Sequence, residues 1–335
     1  MKKIATIIMV FLMILGMAAC SPKTPQQSAI PLPESIIPTD STGGADTPTD
    51  INVAYLANNT VDAFHVTLND AAKTALDEMQ EEGVVASWQL YDGLTDPITQ
   101  VNLIEDAINN GANFVVFLPV EGEGSAPVVS RCAELGIPIV VVNSKTNNTD
   151  QFAAAFVGPY NVEAGEIMAK YVQEQVPDGG KYIHIMGVIG DSAQIDIGHG
   201  IKNILDADEK WESAGDFPAD WAADRAVQFA TGAITEYGDD LKAILCDNDD
   251  MASDVQAYCN FIDRSDIVCI GVGGEAGALA MVKEGALGAT VFEEGTKQIE
   301  EAIALIPDII AGREVEKVMM VPFTLVTSEN VDEYL

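Results

Sequence analysis

From Ile51 onward the chain alternates short β-branched runs with helical stretches, and few folds accommodate that alternation. INVAYLA precedes a predicted helix over 63–82, VVASWQLY a helix over 98–110, and FVVFLP a helix reaching 135 before IPIVVV. Strand–helix alternation of this kind means βαβ units and a parallel sheet. FVVFLP and IPIVVV are nearly all apolar, as expected of strands covered by helices on both faces. The rhythm restarts near Lys181 with KYIHIMG, the AGDFPADW segment, LKAILC, DIVCIGV and ATVFE, each separated by a predicted helix. The expected fold is therefore α/β, with two Rossmann-like, doubly wound lobes in series. A domain of roughly 100–200 residues fits each unit.

The first fifty residues follow a different logic. Lys2 and Lys3 precede an apolar run from 4 to 17, then Ala18, Ala19 and Cys20, which is the pattern of a secretory signal. The run falls short of the roughly 20 residues that a membrane-spanning helix needs. Met17-Ala18-Ala19-Cys20 resembles a bacterial lipoprotein cleavage site, with Met17 where Leu is usual; the resemblance implies lipidation of Cys20. The alternative is an ordinary signal peptide cut near Ala19. Residues 21–50 hold six of the 15 prolines and few aliphatic side chains, the composition of a disordered tether. The expected division is 1–19 signal, 20–50 anchor and linker. This places the body at the extracytoplasmic face of the cell membrane, on a cell surface or in a periplasm.

The chain carries 17 Lys and Arg against 52 Asp and Glu, a formal charge of −35. Loss of Lys2 and Lys3 with the signal deepens that to −37. A polyanionic partner would be repelled, which excludes nucleic-acid binding as the main role.

In open α/β sheets ligands sit beyond the carboxyl ends of the strands. Those positions here are Asn58, Asn59, Asp92, Glu121, Asn143, Asp191, Trp221, Asp247, Asn248, Gly273 and Glu293. If the two sheets face each other, these loops line one cleft suited to a ligand held between closing lobes.

The local words AFHVTLNDAAKTAL, QVNLIEDAINNGANFVVFLPVE, ELGIPIVVVN, VGPYNVEAGEIMAKYV, GDSAQIDIGHGIKNIL, LCDNDDMASD, IGVGGEAGALAMVKEG and GATVFEEGTKQI run in order from Ile51 to about Val326. In order and spacing they resemble the type I periplasmic sugar-binding proteins, the ribose- and galactose-binding group that feeds ABC transporters. The resemblance implies a hinge-closing architecture with three crossings near residues 158, 293 and 321. The first lobe would comprise 51–158 plus 293–321, the second 159–292 plus 322–335. It also implies a small carbohydrate-like ligand, an ABC permease as partner, a monomer, and no cofactor or metal. A sensory receptor that hands its ligand state to a membrane kinase or chemoreceptor is the alternative role on this fold.

In that family two aromatic residues sandwich the sugar ring, because the apolar faces of a pyranose suit an aromatic plane. The matching positions are Phe64 or His65, and Trp221; a half-buried core tryptophan is the alternative for Trp221, and a solvent-facing helix residue for His65. Asn143 and Asn248 match the family's hydroxyl-reading asparagines, since an amide both donates and accepts. Asn248 also suits a helix N-cap, and the run from Asp247 to Asp250 reads as helix-start chemistry with one ligand contact.

The departures matter as much. The family's clamp arginine falls on Ile197, and the acidic residue of its GxDG word falls on Gly273. Glu293 stands where the resemblance implies Gln or Asn, placing a carboxylate in the cleft without an obvious cationic neighbour. Such a group demands donors or positive charge from the ligand. The expected ligand is accordingly an amino sugar, polyol or nucleoside-like molecule; Asp191, Gln194 and Glu121 are candidate further contacts, with a solvated loop residue as the alternative for each.

Nothing in the sequence names an enzyme. GVIGDS and GVGGEAG lack the dinucleotide-turn spacing, no G-x-S-x-G elbow occurs, and His65, His184 and His199 have no metal-ligand spacing. His184, inside an apolar strand, reads as a satisfied core residue. Cys132, Cys246, Cys259 and Cys269 read as buried thiols, not as a disulfide framework.

Overall fold

The computed structural model describes residues 50–335; the expected signal, Cys20 and the linker up to 49 lie outside the described residues. The first sheet holds β1 (Asn52–Ala57), β2 (Ser87–Asp92), β3 (Phe114–Phe117), β4 (Ile139–Val142) and β5 (Ala155–Pro159). The second holds β6 (Gly180–Met186), β7 (Trp211–Pro218), β8 (Leu241–Cys246), β9 (Val268–Gly273) and β10 (Ala289–Glu293). Two last strands, β11 (Val318–Val321) and β12 (Phe323–Thr327), join the first and second sheets respectively. The helices are α1 (Ala63–Glu81), α2 (Pro97–Asn109), α3 (Ala126–Leu135), α4 (Thr149–Phe152), α5 (Asn161–Gln175) and α6 (Ser192–Leu205). They continue with α7 (Ala223–Tyr237), α8 (Asp249–Phe261), α9 (Ala276–Glu284), α10 (Gly295–Ala304) and α11 (Ile306–Ile310).

Strand order is β11-β5-β4-β3-β1-β2 in one lobe and β12-β10-β9-β8-β6-β7 in the other. Every pairing is parallel except β10 with β12. The chain passes between the sheets three times, from β5 to α5, from β10 to α10 and from β11 to β12. After the second passage α10 packs on α1, β4 and β5.

Both faces of each sheet are buried, so successive strand residues enter different cores. In β1, Val53, Tyr55 and Ala57 join one apolar cluster, while Ala54 and Leu56 join the cluster on the opposite face. All residues of β3 and β4 are buried, which explains why those strands read as unbroken apolar runs. Cys132, Cys246, Cys259 and Cys269 are buried free thiols within these cores. Among the described residues no helix is long and apolar enough to cross a membrane.

The helix starts carry the fold into the site. Asp62 caps α1 by accepting from the His65 N–H, Asp191 caps α6 through Ala193 N–H, and Asn248 caps α8 through Met251 N–H. Each cap satisfies a backbone donor that the helix leaves orphaned. All three also lie between a strand's carboxyl end and the next helix, so one short loop both ends the strand and starts the helix.

Candidate functional site

The carboxyl ends of the two sheets enclose a cleft of about 820 Å³, its open mouth included. Six carboxyl groups line it, from Asp62, Asp191, Asp247, Asp250, Glu275 and Glu293, with five asparagine amides among them. His65 is the only basic lining group among the described residues; no lysine or arginine reaches the wall.

Of the sequence candidates, Asn59, Phe64, His65, Asn143, Asp191, Trp221, Asp247, Asn248 and Glu293 come together here. Gln194 does not: it lies on α6 with its amide turned to Met186 Sδ at 3.3 Å. Glu121 and Asp92 are also off the wall; Asp92 instead accepts from the Thr60 hydroxyl and the Leu94 N–H.

The first lobe contributes a ready-made polar network. Both carboxylate oxygens of Asp62 meet His65 Nδ1, at 2.8 and 2.9 Å, and the Asn59 amide donates to the same carboxylate. Burial alone would raise Asp62, but the His65 hydrogen bonds and charge hold it down at about 2. With Nδ1 occupied, His65 keeps Nε2 for other partners. Phe64 meets the His65 ring edge-on, centroids 5.6 Å apart, and its side chain also joins the first lobe's core.

The second lobe contributes an aromatic plane on an unusual backbone. Asp220 and Trp221 both have positive φ, +53° and +66°. For a bulky residue this is strained and persists only where the surroundings enforce it. Gly187 is part of that enforcement: any Cβ there would collide with the indole, so the bare glycine backbone is the ring's floor. The Asn248 amide donates to the Trp221 carbonyl at 3.4 Å while its Oδ1 caps α8.

Beneath this surface lies His184, expected as a satisfied core residue and found buried against Asp247. His184, 1% exposed, places Nε2 at 2.6 Å from Asp247 Oδ1, and Asp247 Oδ2 accepts from Gly187 N–H at 2.8 Å. Burial opposes a charged imidazole, yet Asp247, together with Asp216, raises His184 to about 9. Asp247 is thus an ion-paired brace beneath the Trp221 floor. The acidic run is not uniform helix-start chemistry: Asn248 caps α8, while Asp247 and Asp249 are committed to buried partners.

Glu293 also has company. Asn143, itself at φ +69°, donates from Nδ2 to Glu293 Oε1 at 2.6 Å, and Gln298 Nε2 donates to the same oxygen at 2.9 Å. Burial nonetheless pushes Glu293 up to about 7. Gln298, buried on α10, went unread in the sequence because it lies five residues beyond the strand end. Asp191 is raised by burial to about 6 against the hydrogen bonds from Ala193 N–H and the Ser144 hydroxyl.

The two departures noted in the sequence acquire different meanings. Ile197 does line the cleft, so the wall there is apolar. At Gly273, however, the Glu275 carboxyl fills the space that a side chain would occupy, 2.5 Å from an ideal Cβ. The acidic group is supplied from two residues downstream, a substitution that word matching does not reveal.

Direct hydrogen bonds also span the lobes beside the cleft. Gly122 N–H donates to the Gly190 carbonyl at 3.0 Å, Lys145 N–H to the Ser192 hydroxyl at 2.8 Å, and the Ser144 hydroxyl to Asp191 at 3.1 Å.

Residues 53–314 match the family described as periplasmic binding protein domain. The chain is similar to the xylitol-binding protein of Mycolicibacterium smegmatis, 25% identical over 71% of this chain and 67% of that protein. It is similar to the ribose import binding protein RbsB of Bacillus subtilis, 25% identical over 98% of this chain and all of the relative. Its fold matches a solved ABC transporter solute binding protein from Bacillus halodurans with bound myo-inositol, with TM-score 0.79 and 24% identity. That match covers 86% of this chain and 98% of the other.

Proposed function

Because this chain belongs to the periplasmic binding proteins, in the type I sugar-binding group that serves ABC transporters, we propose that it captures a neutral or aminated polyol-like ring for import. The carrying observation is the wall itself, with six carboxyl groups, five amides and a single histidine. Such a wall is rich in acceptors and poor in positive charge. A ligand must therefore bring donors, as hydroxyls or an ammonium do, since a second anion would leave buried charge unpaired. Xylitol and ribose in the names of two relatives belong to the donor-rich class.

Trp221 covers the apolar face of the ring, with Phe64 and His65 opposite from the first lobe. Asn143, Asn248, Asn59, Asp191 and Glu293 read its edge, above the buried Asp247 brace. Closure of the lobes presents a surface to an ABC permease, and lipidation at Cys20 tethers the body to the extracytoplasmic face of the membrane. Each of these roles is part of the proposal, as are the lobe boundaries near 158, 293 and 321.

A thermal-shift panel of polyols, amino sugars, neutral sugars, nucleosides and acidic sugars tests the reading. A ligand at a hundred times its Kd adds about 2.7 kcal/mol of stability. Stabilisation by polyols or aminated rings and none by uronates or sugar phosphates is the expected pattern; a hit confined to acidic sugars would refute it.

A further inference from the structure

Glu275 occupies the N-cap position of α9, where a carboxylate ordinarily accepts from the helix's first N–H groups. It makes no such bond. Instead its side chain turns back over Gly273 into the cleft wall, and Oε2 is buried without a hydrogen-bond partner. Gly273 and Gly274, at φ +145° and +82°, give the backbone the path that permits this. The partner beneath is Asp249, 1% exposed and richly supplied with donors. The Thr290 hydroxyl donates to both of its oxygens, at 2.7 and 2.8 Å, and Gly274 N–H donates at 2.6 Å. Glu275 N–H adds a longer bond at 3.3 Å.

Two adjacent buried carboxyls do not both ionise, because like charges in a poorly solvated site repel strongly. The donors settle which one keeps the charge: Asp249 has three, and Glu275 Oε2 has none. We propose that Glu275 is a ligand-contacting residue of the cleft, and that it shares one proton with Asp249 which the pair releases when a ligand ammonium takes its place. This rests on the aminated-polyol reading above. Burial and the Asp249 charge raise Glu275 well above the usual carboxylate range, and burial raises Asp249 as well. The other groups around the pair work in the same sense. Asp250 from α8, Glu293 at the end of β10, Glu294 after it and Asp62 at the cap of α1 are acidic, and among the described residues His65 from α1 is the one basic group lining the same walls.

The exchange balances simply. In the empty cleft one proton lies between two carboxyl groups of net charge −1; an arriving ammonium meets both as carboxylates, and that proton passes to buffer. A neutral polyol instead donates a hydroxyl hydrogen to Glu275 and releases nothing from the pair.

The first test needs no ligand. At pH 7, Glu275→Gln should leave the net charge of the native protein unchanged by capillary electrophoresis, while the exposed control Glu300→Gln removes one negative charge. Loss of one charge in both variants would overturn the shared proton. The second test is calorimetry at pH 6.5 in buffers of different ionisation enthalpy, with glucosamine and an inosamine as aminated probes and myo-inositol as the neutral one. The protons released per aminated probe should fall by about one in Glu275→Gln, and that variant should bind the aminated probe at least tenfold more weakly. Myo-inositol affinity should fall by a smaller factor than that of the aminated probe, because the amide oxygen of the variant still accepts from a hydroxyl. Unchanged release in Glu275→Gln would overturn the coupling. Binding of myo-inositol with no binding of either amine would refute the aminated ligand while leaving the electrophoretic result to judge the pair.

Discussion

Each lobe pairs one histidine with an aspartate, and the two pairs differ in where they sit. His65 and Asp62 meet at the start of α1 on the cleft surface, with side chains 17% and 42% exposed. His184 and Asp247 meet inside the second sheet, 1% and 0% exposed, one layer below the ligand space. The scaffolds are nearly equivalent, with matching strand orders and only β12 reversed relative to β11. An equivalent scaffold thus holds a surface pair suited to touching a ligand and a buried pair suited to fixing what touches it. Water screens the first pair and leaves the second unscreened, so equal substitutions should have unequal effects.

The sharpest break of this comparison is His184→Ala, which strands Asp247 as a buried unpaired charge and should cost about 3–5 kcal/mol of stability. His65→Ala should cost less than about 1 kcal/mol. Urea denaturation of the two variants measures both, and equal losses would erase the distinction. His184→Gln, which can still donate, should recover part of the difference.

The pairs also respond to opposite ends of the pH scale. His184, held at about 9 against an ordinary value near 6.5, stabilises fully below about pH 6.5, and its contribution is lost as pH rises through 9. Asp62, held at about 2, stabilises above about pH 4, and its contribution is lost as pH falls through 2. Asp191 and Glu293, raised to about 6 and about 7, withdraw stability as pH rises from their ordinary values near 4 through 6 and 7, so a loss sets in before that of His184. The melting temperature should therefore peak at about pH 4 and decline toward pH 9, with a shallower decline above about pH 6.5 in His184→Gln. A peak above pH 8 would contradict this assignment of charges.

Binding separates the lobes again. Trp221→Ala should weaken a polyol ligand by about 2 kcal/mol, near 30-fold, as a buried aromatic anchor does. Gly187→Ala touches no ligand yet pushes the indole from its floor, and about a tenfold loss is expected by calorimetry. Phe64→Ala should move affinity less than Trp221→Ala, because Phe64 divides its side chain between cleft and core. Gln194→Ala, off the wall, should leave affinity within twofold.

The fold was legible because strand and helix periodicities are local: INVAYLA and FVVF announce buried strands whatever their neighbours do. The rim of the cleft was legible because the loops that follow the strands gather at the sheets' carboxyl ends, where Asn143, Asp191, Trp221 and Asn248 lie. Contacts made at a distance were not. His184 and Asp247 are 63 positions apart, Asn143 and Glu293 are 150 apart, and nothing in either local word signals the pairing. Glu275 escaped because its carboxyl reaches back over Gly273, so the chemistry sits at one position and the space at another.

The central claim is that an acceptor-rich wall without lysine or arginine selects ligands by their donors and charge. Calorimetry with glucose, glucosamine and glucuronate, or with the corresponding trio on the inositol ring, changes one substituent at a time from hydroxyl to ammonium to carboxylate. The account predicts that the ammonium compound binds at least as tightly as the hydroxyl compound, and the carboxylate more than a hundredfold more weakly. Carboxylate binding within tenfold of the neutral compound would contradict it.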